Sequence, residues 1–207
     1  MNDRLHIATL LASAARDFHA RGWMWGTSGN LSAVLTRDPL AFLITASGRD
    51  KGELTADDTL LVGAGGEALE EWHGKPSAEM PVHERIYAKF RAGAVYHVHT
   101  VMAGVLSDHF WPDRGITLEG VEMLKGFGHD APDVRLKIPI ADNHSDSNVI
   151  ADLLEEAVQP GVPGVLIRNH GLYAWGDSPQ QARNHLEVFE YLFQYTYYRT
   201  KLASSSG

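Results

Sequence analysis

The chain has 207 residues, of which 44% are hydrophobic, a composition that predicts a single globular domain over residues 1–207. Its formal net charge of −8, with no run of lysine or arginine, argues against nucleic-acid or anionic-membrane partners, so an anionic ligand must be bound by a local pocket. It has no cysteine, which excludes disulfides, thiolate metal ligands and a cysteine nucleophile, and which favours a reducing, cytoplasmic location.

The first half of the chain predicts a helix followed by part of an antiparallel sheet. Apolar residues recur at helical spacing from Ile7 to Phe18, and the pattern ends at Gly22. Pro81 is tolerated in a first helical turn and opens a second helix, for which Ser77 is the expected N-terminal cap. Short β-like segments between these helices cover 31–35, 41–46 and 60–62.

The second half alternates strands with helices. A strand is expected at 94–99, after which Thr100 caps a short helix through Leu106. Ser178 caps a long final helix that reaches Tyr198. The remaining segments are a strand and helical turn at 116–127, strands at 136–140, 165–167 and 172–175, and a helix at 149–158. These elements predict an α/β fold with a mixed or antiparallel sheet between helices.

His97 and His99 are two residues apart, so on a strand both imidazoles would point to the same face. Two neutral imidazoles there could occupy adjacent corners of a tetrahedral zinc site, which usually needs a third protein ligand when it is catalytic. His170 is the best candidate, because it ends an apolar strand and precedes Gly171, which permits close backbone approach. The alternatives are a structural pair of strand histidines and an ordinary turn histidine.

Three stretches of small residues could bind a phosphate. Hydroxyls, an asparagine amide, glycine N–H groups and a helix N-terminus can hold a dianion without a cation. Ordinary turns are the alternative for each stretch, since none matches a P-loop or a dinucleotide-binding motif. The candidate residues are Ser28, Gly29, Asn30, Ser47, Gly48 and Ser77.

Two glutamates, Glu79 and Glu122, have largely apolar sequence neighbours. Desolvation would raise the pKa of either carboxyl toward the range useful for general acid or base catalysis. The alternative for each is a solvated or helix-capping glutamate, and spacing does not choose between them.

Several motifs resemble the class II aldolase/adducin superfamily in order and spacing over nearly the whole chain. They are Trp25-Gly-Thr-Ser-Gly-Asn-Leu-Ser32, Ile44-Thr-Ala-Ser-Gly48, Lys75-Pro-Ser-Ala-Glu79, His97-Val-His99 and Arg168-Asn-His-Gly171. Within that superfamily, residues 118–126, 169–176 and 190–193 resemble the methionine-salvage dehydratases that act on methylthioribulose 1-phosphate.

The resemblance implies a three-layer fold with a mainly antiparallel sheet flanked by helices. It implies one zinc ion per subunit on His97, His99 and His170, and loss of water from 5-methylthioribulose 1-phosphate to give 2,3-diketo-5-methylthiopentyl 1-phosphate. The zinc would polarise the substrate ketone while the C3 proton is removed, and Glu122 matches the acid/base position that helps the C4 hydroxyl to leave. The candidate phosphate residues match the superfamily's phosphate-binding stretches.

Glu79 stands where the aldolases of the superfamily carry a catalytic glutamate, although Ala78 replaces a serine of their motif. It could be a second acid/base, a fourth metal ligand in the free enzyme or a remnant of aldolase chemistry. The alternative functions are a sugar-phosphate aldolase or epimerase and a non-catalytic adducin-like binding module. The superfamily's cyclic tetramers and the aromatic C-terminal helix both favour a homotetramer with active sites at subunit boundaries.

Overall fold

The structure is a computed structural model that describes residues 3–71, 75–131 and 133–205, so the outermost positions of the expected domain, 1–2 and 206–207, lie outside the described residues. The strands of the described part are β1 (Asn30–Arg37), β2 (Leu40–Thr45), β3 (Thr59–Gly63), β4 (Ala94–Val98), β5 (Gly115–Glu119), β6 (Arg135–Ala141), β7 (Gly164–Ile167) and β8 (Gly171–Gly176). Its α-helices are α1 (Asp3–Ala20), α2 (Met80–Phe90), α3 (Val101–His109), α4 (Ser147–Ala157) and α5 (Pro179–Ser204).

The eight strands form one sheet in the order β3-β2-β1-β4-β8-β7-β6-β5. Only the β6–β7 pair is parallel, and the other neighbours run antiparallel. At the centre of the sheet, Asn30 of β1 is opposite His97 of β4, and His97 is opposite Tyr173 of β8. The pairing therefore brings three polar side chains from distant parts of the sequence side by side.

Apolar side chains cover both faces of the sheet. One core cluster joins the sheet to α1, α3 and α5, through residues such as Leu11, Leu106 and Phe189. The other joins it to α2 and α4, through Ile86 and Leu154. The result is three layers, with the sheet between two layers of helices. This agrees with the predicted α/β class and with the resemblance.

Two of the predicted helix caps are present and one is wrong. Thr100 accepts a hydrogen bond from the N–H of Ala103, and Ser178 accepts one from Gln181. Ser77, however, does not cap α2, because the helix begins at Met80 and Glu79 is its N-cap residue. The Ser77 hydroxyl instead accepts hydrogen bonds from the Asn30 amide at 3.0 Å and from the Glu79 N–H at 3.3 Å, which turns it toward the sheet.

Within the described residues, no helix combines the length and the hydropathy that crossing a membrane requires. The long helix α5 does carry a row of exposed apolar and aromatic side chains toward its C-terminal end. They are Tyr191, Tyr195, Tyr198 and Leu202.

Candidate metal centre

Four side chains from three separate segments converge at one end of the central strands. His97 and His99 lie at the end of β4, His170 lies in the turn between β7 and β8, and Glu79 immediately precedes α2. One ligand atom from each of the four lies within 4.8 Å of the others. The sheet therefore brings together the three predicted histidines and adds Glu79 to them.

His97 is fully buried, and its ring is fixed on two sides. Its Nδ1–H donates to the carbonyl oxygen of Leu172 at 3.1 Å, while the Tyr173 ring stacks on it with centroids 4.0 Å apart. A hydrogen bond from Nδ1 to a carbonyl leaves the Nε2 lone pair directed at the centre, as in metal-bound histidines. The surroundings thus select the tautomer that a metal ion needs.

His170 and His99 present their Nε2 atoms to the same point. The Nδ1 atom of His170 lies 3.2 Å from the Asn143 amide oxygen, which fixes its proton there and leaves Nε2 toward the centre. The Nε2 atoms of His99 and His97 are 2.8 Å apart. Burial, together with the charges of His97 and His170, lowers the pKa of His99 to about 3, so this imidazole is neutral at physiological pH.

The carboxylate of Glu79 completes the donor set. Its Oε1 lies 2.9 Å from Nε2 of His170, its Oε2 lies 3.3 Å from Nε2 of His97, and the Asn30 amide donates to Oε2 at 2.6 Å. Burial raises the pKa of Glu79, but in the metal-free protein the positive charge and the Nε2–H groups that His97 and His170 present when protonated together outweigh burial and lower it overall. The expected upward shift was wrong for Glu79, because the charged neighbours contribute more than desolvation.

The chemistry of these donors fits a divalent metal ion. Three imidazole nitrogens and one carboxylate oxygen form a set that zinc accepts in tetrahedral geometry. Two of the imidazoles have an oxygen acceptor on the nitrogen that faces away from the centre, which orients the ring and increases its basicity.

A cleft of about 570 Å³ opens beside the four donors. Most of the predicted phosphate-binding residues line it, namely Ser28, Gly29, Asn30, Ser47 and Ser77, whereas Gly48 is not among its lining residues. Gly29 has a φ of +73°, and a Cβ atom there would lie 2.7 Å from the carbonyl oxygen of His97. Only glycine allows the cleft wall to pack this closely against the strand that carries His97.

Some residues of the cleft have no distinctive sequence signal. Lys51 lines the cleft with its side chain almost fully buried, and its ammonium donates to the carbonyl oxygens of Thr27 and Arg49 at 3.0 Å each. Burial lowers its pKa. Nothing about a single lysine in a turn marked it as part of a site.

A further part of the cleft lining comes from the polar loop between β6 and α4 and from the first residue of α4. The residues are Asn143, His144, Ser145 and Ser147. A run of small polar residues between a predicted strand and a predicted helix was the one sequence signal that could have identified this part of the lining.

Glu122 lies elsewhere. It starts a short 3-10 helix after β5, its side chain is 80% exposed, and it pairs with Lys125. Glu119, at the end of β5, pairs with Arg135 at the start of β6, whereas Ala141 at the other end of β6 pairs with Ile167, close to His170. At ~3.3 Å per strand residue, the length of β6 places Glu122 on the order of 20 Å from the histidines of its own protomer. Within its own protomer, Glu122 therefore lacks the apolar environment expected for it.

The family described as Class II Aldolase and Adducin N-terminal domain matches residues 9–197 of the chain. A methylthioribulose-1-phosphate dehydratase of Persephonella marina is 42% identical over 175 residues, covering 84% of this chain and 81% of the relative. The enzyme of the same name from Bacillus subtilis strain 168 is 41% identical over 186 residues, covering 89% of each chain.

Solved structures show the same architecture. The L-fuculose-1-phosphate aldolase of Thermus thermophilus superposes with a TM-score of 0.71 at 26% identity, covering all of both chains. A sugar-phosphate aldolase of Thermotoga maritima gives a TM-score of 0.73 at 21% identity, covering 95% of this chain and 96% of that one. At this lower identity, the likeness to the second structure concerns the fold alone.

Proposed function

The chain belongs to the class II aldolase and adducin family, and from that membership we propose that it is a hydro-lyase of methionine salvage. It removes water from 5-methylthioribulose 1-phosphate and yields 2,3-diketo-5-methylthiopentyl 1-phosphate. The observation that carries the proposal is an identity of 41–42% to two dehydratases over 84–89% of the chain, with the donor cluster formed beside a cleft.

We propose that the resident metal is one zinc ion per subunit, held by His97, His99 and His170, with Glu79 as a fourth donor in the substrate-free enzyme. The donor set supports zinc because imidazole and carboxylate are among its usual protein ligands. When bound, the ion supplies Lewis-acid stabilisation of negative charge on the substrate's ketone oxygen.

The cleft supports binding of the substrate's phosphate at its serine- and glycine-lined wall. Ser28, Ser47 and Ser77 offer hydroxyls, and Lys51 offers the buried positive charge that the acidic chain otherwise lacks there. With the phosphate on this wall, the sugar would extend toward the histidines. A phosphate dianion does not cross a lipid bilayer unaided, which supports a cytoplasmic enzyme.

The two glutamates would divide the proton transfers. Glu79 lies beside the cleft, so it would accept the C3 proton in its own subunit once the substrate takes its place among the metal's ligands. Glu122 would donate a proton to the departing C4 hydroxyl, which leaves as water. Because Glu122 lies at the far end of the sheet, it can do so only in the cleft of a neighbouring subunit.

A homotetramer would provide that neighbour. Two features support assembly: Glu122 itself is exposed, and the row of exposed apolar side chains on α5 offers a surface that a second copy would cover. The active site of each subunit is then completed at a subunit boundary.

A dehydratase breaks the C4–O bond, which is β to the ketone, whereas an aldolase with the same metal site breaks a C–C bond. The test is incubation of zinc-loaded protein with 5-methylthioribulose 1-phosphate and analysis of the products by mass spectrometry. We expect the diketone, which is lighter than the substrate by the mass of one water molecule. Smaller retro-aldol fragments would support the aldolase, and protein that retains no divalent metal after reconstitution would support the adducin-like module.

A further inference from the structure

A line of four buried polar side chains leads from the interior of the protein to the donor cluster. Ser32 and Asn30 are two residues apart on β1 and share a face, while His83 and Tyr87 are one turn apart on α2. Each of the four is at most 4% exposed. The line runs Tyr87, Ser32, His83, Asn30, and it ends at the Glu79 carboxylate.

The hydrogen bonds in this line can run in only one direction. The Asn30 amide nitrogen donates to Glu79 Oε2 at 2.6 Å and to Ser77 Oγ at 3.0 Å, which uses both of its hydrogens. Turning the amide over would place its oxygen against a carboxylate oxygen, and neither atom could donate. The amide oxygen therefore faces His83 and accepts from its Nε2–H.

That assignment fixes the rest of the line. With its proton on Nε2, His83 must accept at Nδ1, where Ser32 Oγ lies 2.6 Å away and donates. Ser32 then accepts from the hydroxyl of Tyr87. Burial lowers the pKa of His83 to about 3, so the ring stays neutral and keeps one tautomer. Every proton in the line has a single place.

We propose that His83 is a positioning residue for the metal centre: it sets the orientation of the Asn30 amide, which in turn holds Glu79 in place as a metal ligand. In this arrangement the two amide hydrogens of Asn30 are taken by Glu79 and Ser77. The proposal rests on the proposed metal-binding role of Glu79 and not on the identity of the substrate.

The test measures the Zn²⁺ dissociation constant of the full-length protein by competition with a chromophoric chelator, without substrate. The proteins are wild type, His83→Met, Glu79→Ala and the double variant, with circular dichroism to confirm folding. We expect His83→Met to weaken zinc binding roughly 10–100-fold, as loss of a partner behind a metal ligand does. In the Glu79→Ala background the same substitution should change the affinity little, because its effect passes through the carboxylate.

Two further variants distinguish positioning from simple packing. His83→Gln places an amide N–H where the imidazole Nε2–H stands, so it should recover most of the zinc affinity that His83→Met loses. Ser32→Ala keeps the imidazole but removes the donor that fixes its tautomer. It should weaken zinc binding in the same direction, and it provides the test if His83→Met does not fold.

Losses that add independently in the double variant would overturn the proposal, as would unchanged zinc affinity in His83→Met or Ser32→Ala. Wild-type protein that binds no zinc would overturn it as well. A failure to dehydrate 5-methylthioribulose 1-phosphate, with the affinity pattern intact, would refute the proposed function alone.

Discussion

The Nε2 atom of His170 lies 2.9 Å from Oε1 of Glu79, which links the turn between β7 and β8 to the residue that precedes α2. The contact places a carboxylate directly among the imidazoles. This geometry makes Glu79 part of the donor cluster, whereas the sequence allowed three different roles for it.

Removing a histidine from the centre should remove the metal. We expect His97→Ala and His170→Ala to lose stoichiometric zinc and activity, with affinity falling by more than the roughly 10–100-fold typical of changes behind a ligand. Elemental analysis of the purified proteins measures this. His109→Ala, which alters an exposed histidine on α3, is the matched control and should keep its metal. Full metal content in His97→Ala would contradict the proposed ligand set.

Glu122→Gln should retain zinc and lose turnover by about 10²–10⁴-fold, the usual contribution of a general acid or base. Mixing its subunits with inactive His97→Ala subunits should restore activity, since one subunit would supply the metal and its neighbour the glutamate. In randomly mixed tetramers about a quarter of the sites would be complete. No restoration would contradict action between subunits, and full activity in Glu122→Gln alone would leave Glu79 as the acid/base.

Lys51 should contribute to phosphate binding through its buried ammonium. Lys51→Met removes the charge and keeps much of the apolar side chain, so inhibition by inorganic phosphate should weaken about 10–100-fold, the range for a charged hydrogen bond. Inhibition constants measure the effect. Lys137→Met removes an exposed lysine of β6 and should leave the constant unchanged. Equal inhibition of wild type and Lys51→Met would place the phosphate elsewhere.

The stability of the metal-free protein should fall in mild acid because His83 cannot gain a proton in the folded state. Its pKa is about 3 in the fold and 6.5 in an ordinary environment. Between these values the unfolded chain binds one more proton, so unfolding becomes easier as the pH falls, by at most about 1.4 kcal/mol per unit. Urea unfolding at about pH 6.5, 5.5 and 4.5, within that window, should show a steeper decline for wild type than for His83→Gln. Equal slopes would contradict this assignment.

The exposed row on α5 should be needed for assembly. Replacing Tyr198 and Leu202 together by glutamate places two charges on this surface and should dissociate the proposed tetramer without unfolding the protomer, since both side chains are exposed. Analytical ultracentrifugation measures the mass. Gln180→Glu adds a charge to an exposed position at the other end of α5 and should leave the assembly intact. A tetramer that survives the double substitution would exclude this surface.

Local patterns predicted the parts of the structure that depend on neighbouring residues. The two-residue spacing of His97 and His99 follows from the side-chain alternation of a strand, and the Thr100 cap from its hydroxyl. The fold class followed from the alternation of strands and helices. These features need no information about where distant segments meet.

The features that could not be predicted depend on contacts between residues far apart in the sequence. The direction of the pKa shift of Glu79 depends on His97 and His170, which only the closed sheet brings near. Lys51 joins the cleft through the packing of one turn against another, and a lysine in a turn has no pattern of its own. The Ser77 cap was wrong for the same reason, because Asn30 of β1 holds its hydroxyl.

The donors of the centre come from three stretches of chain that touch only when β4, β8 and α2 have assembled. An unfolded chain cannot present them together, so the metal binds the native form almost exclusively. At a free concentration about 100 times its dissociation constant, such a ligand shifts the folding equilibrium by about 2.7 kcal/mol. We therefore expect the protein to resist proteolysis better with the metal bound than without it.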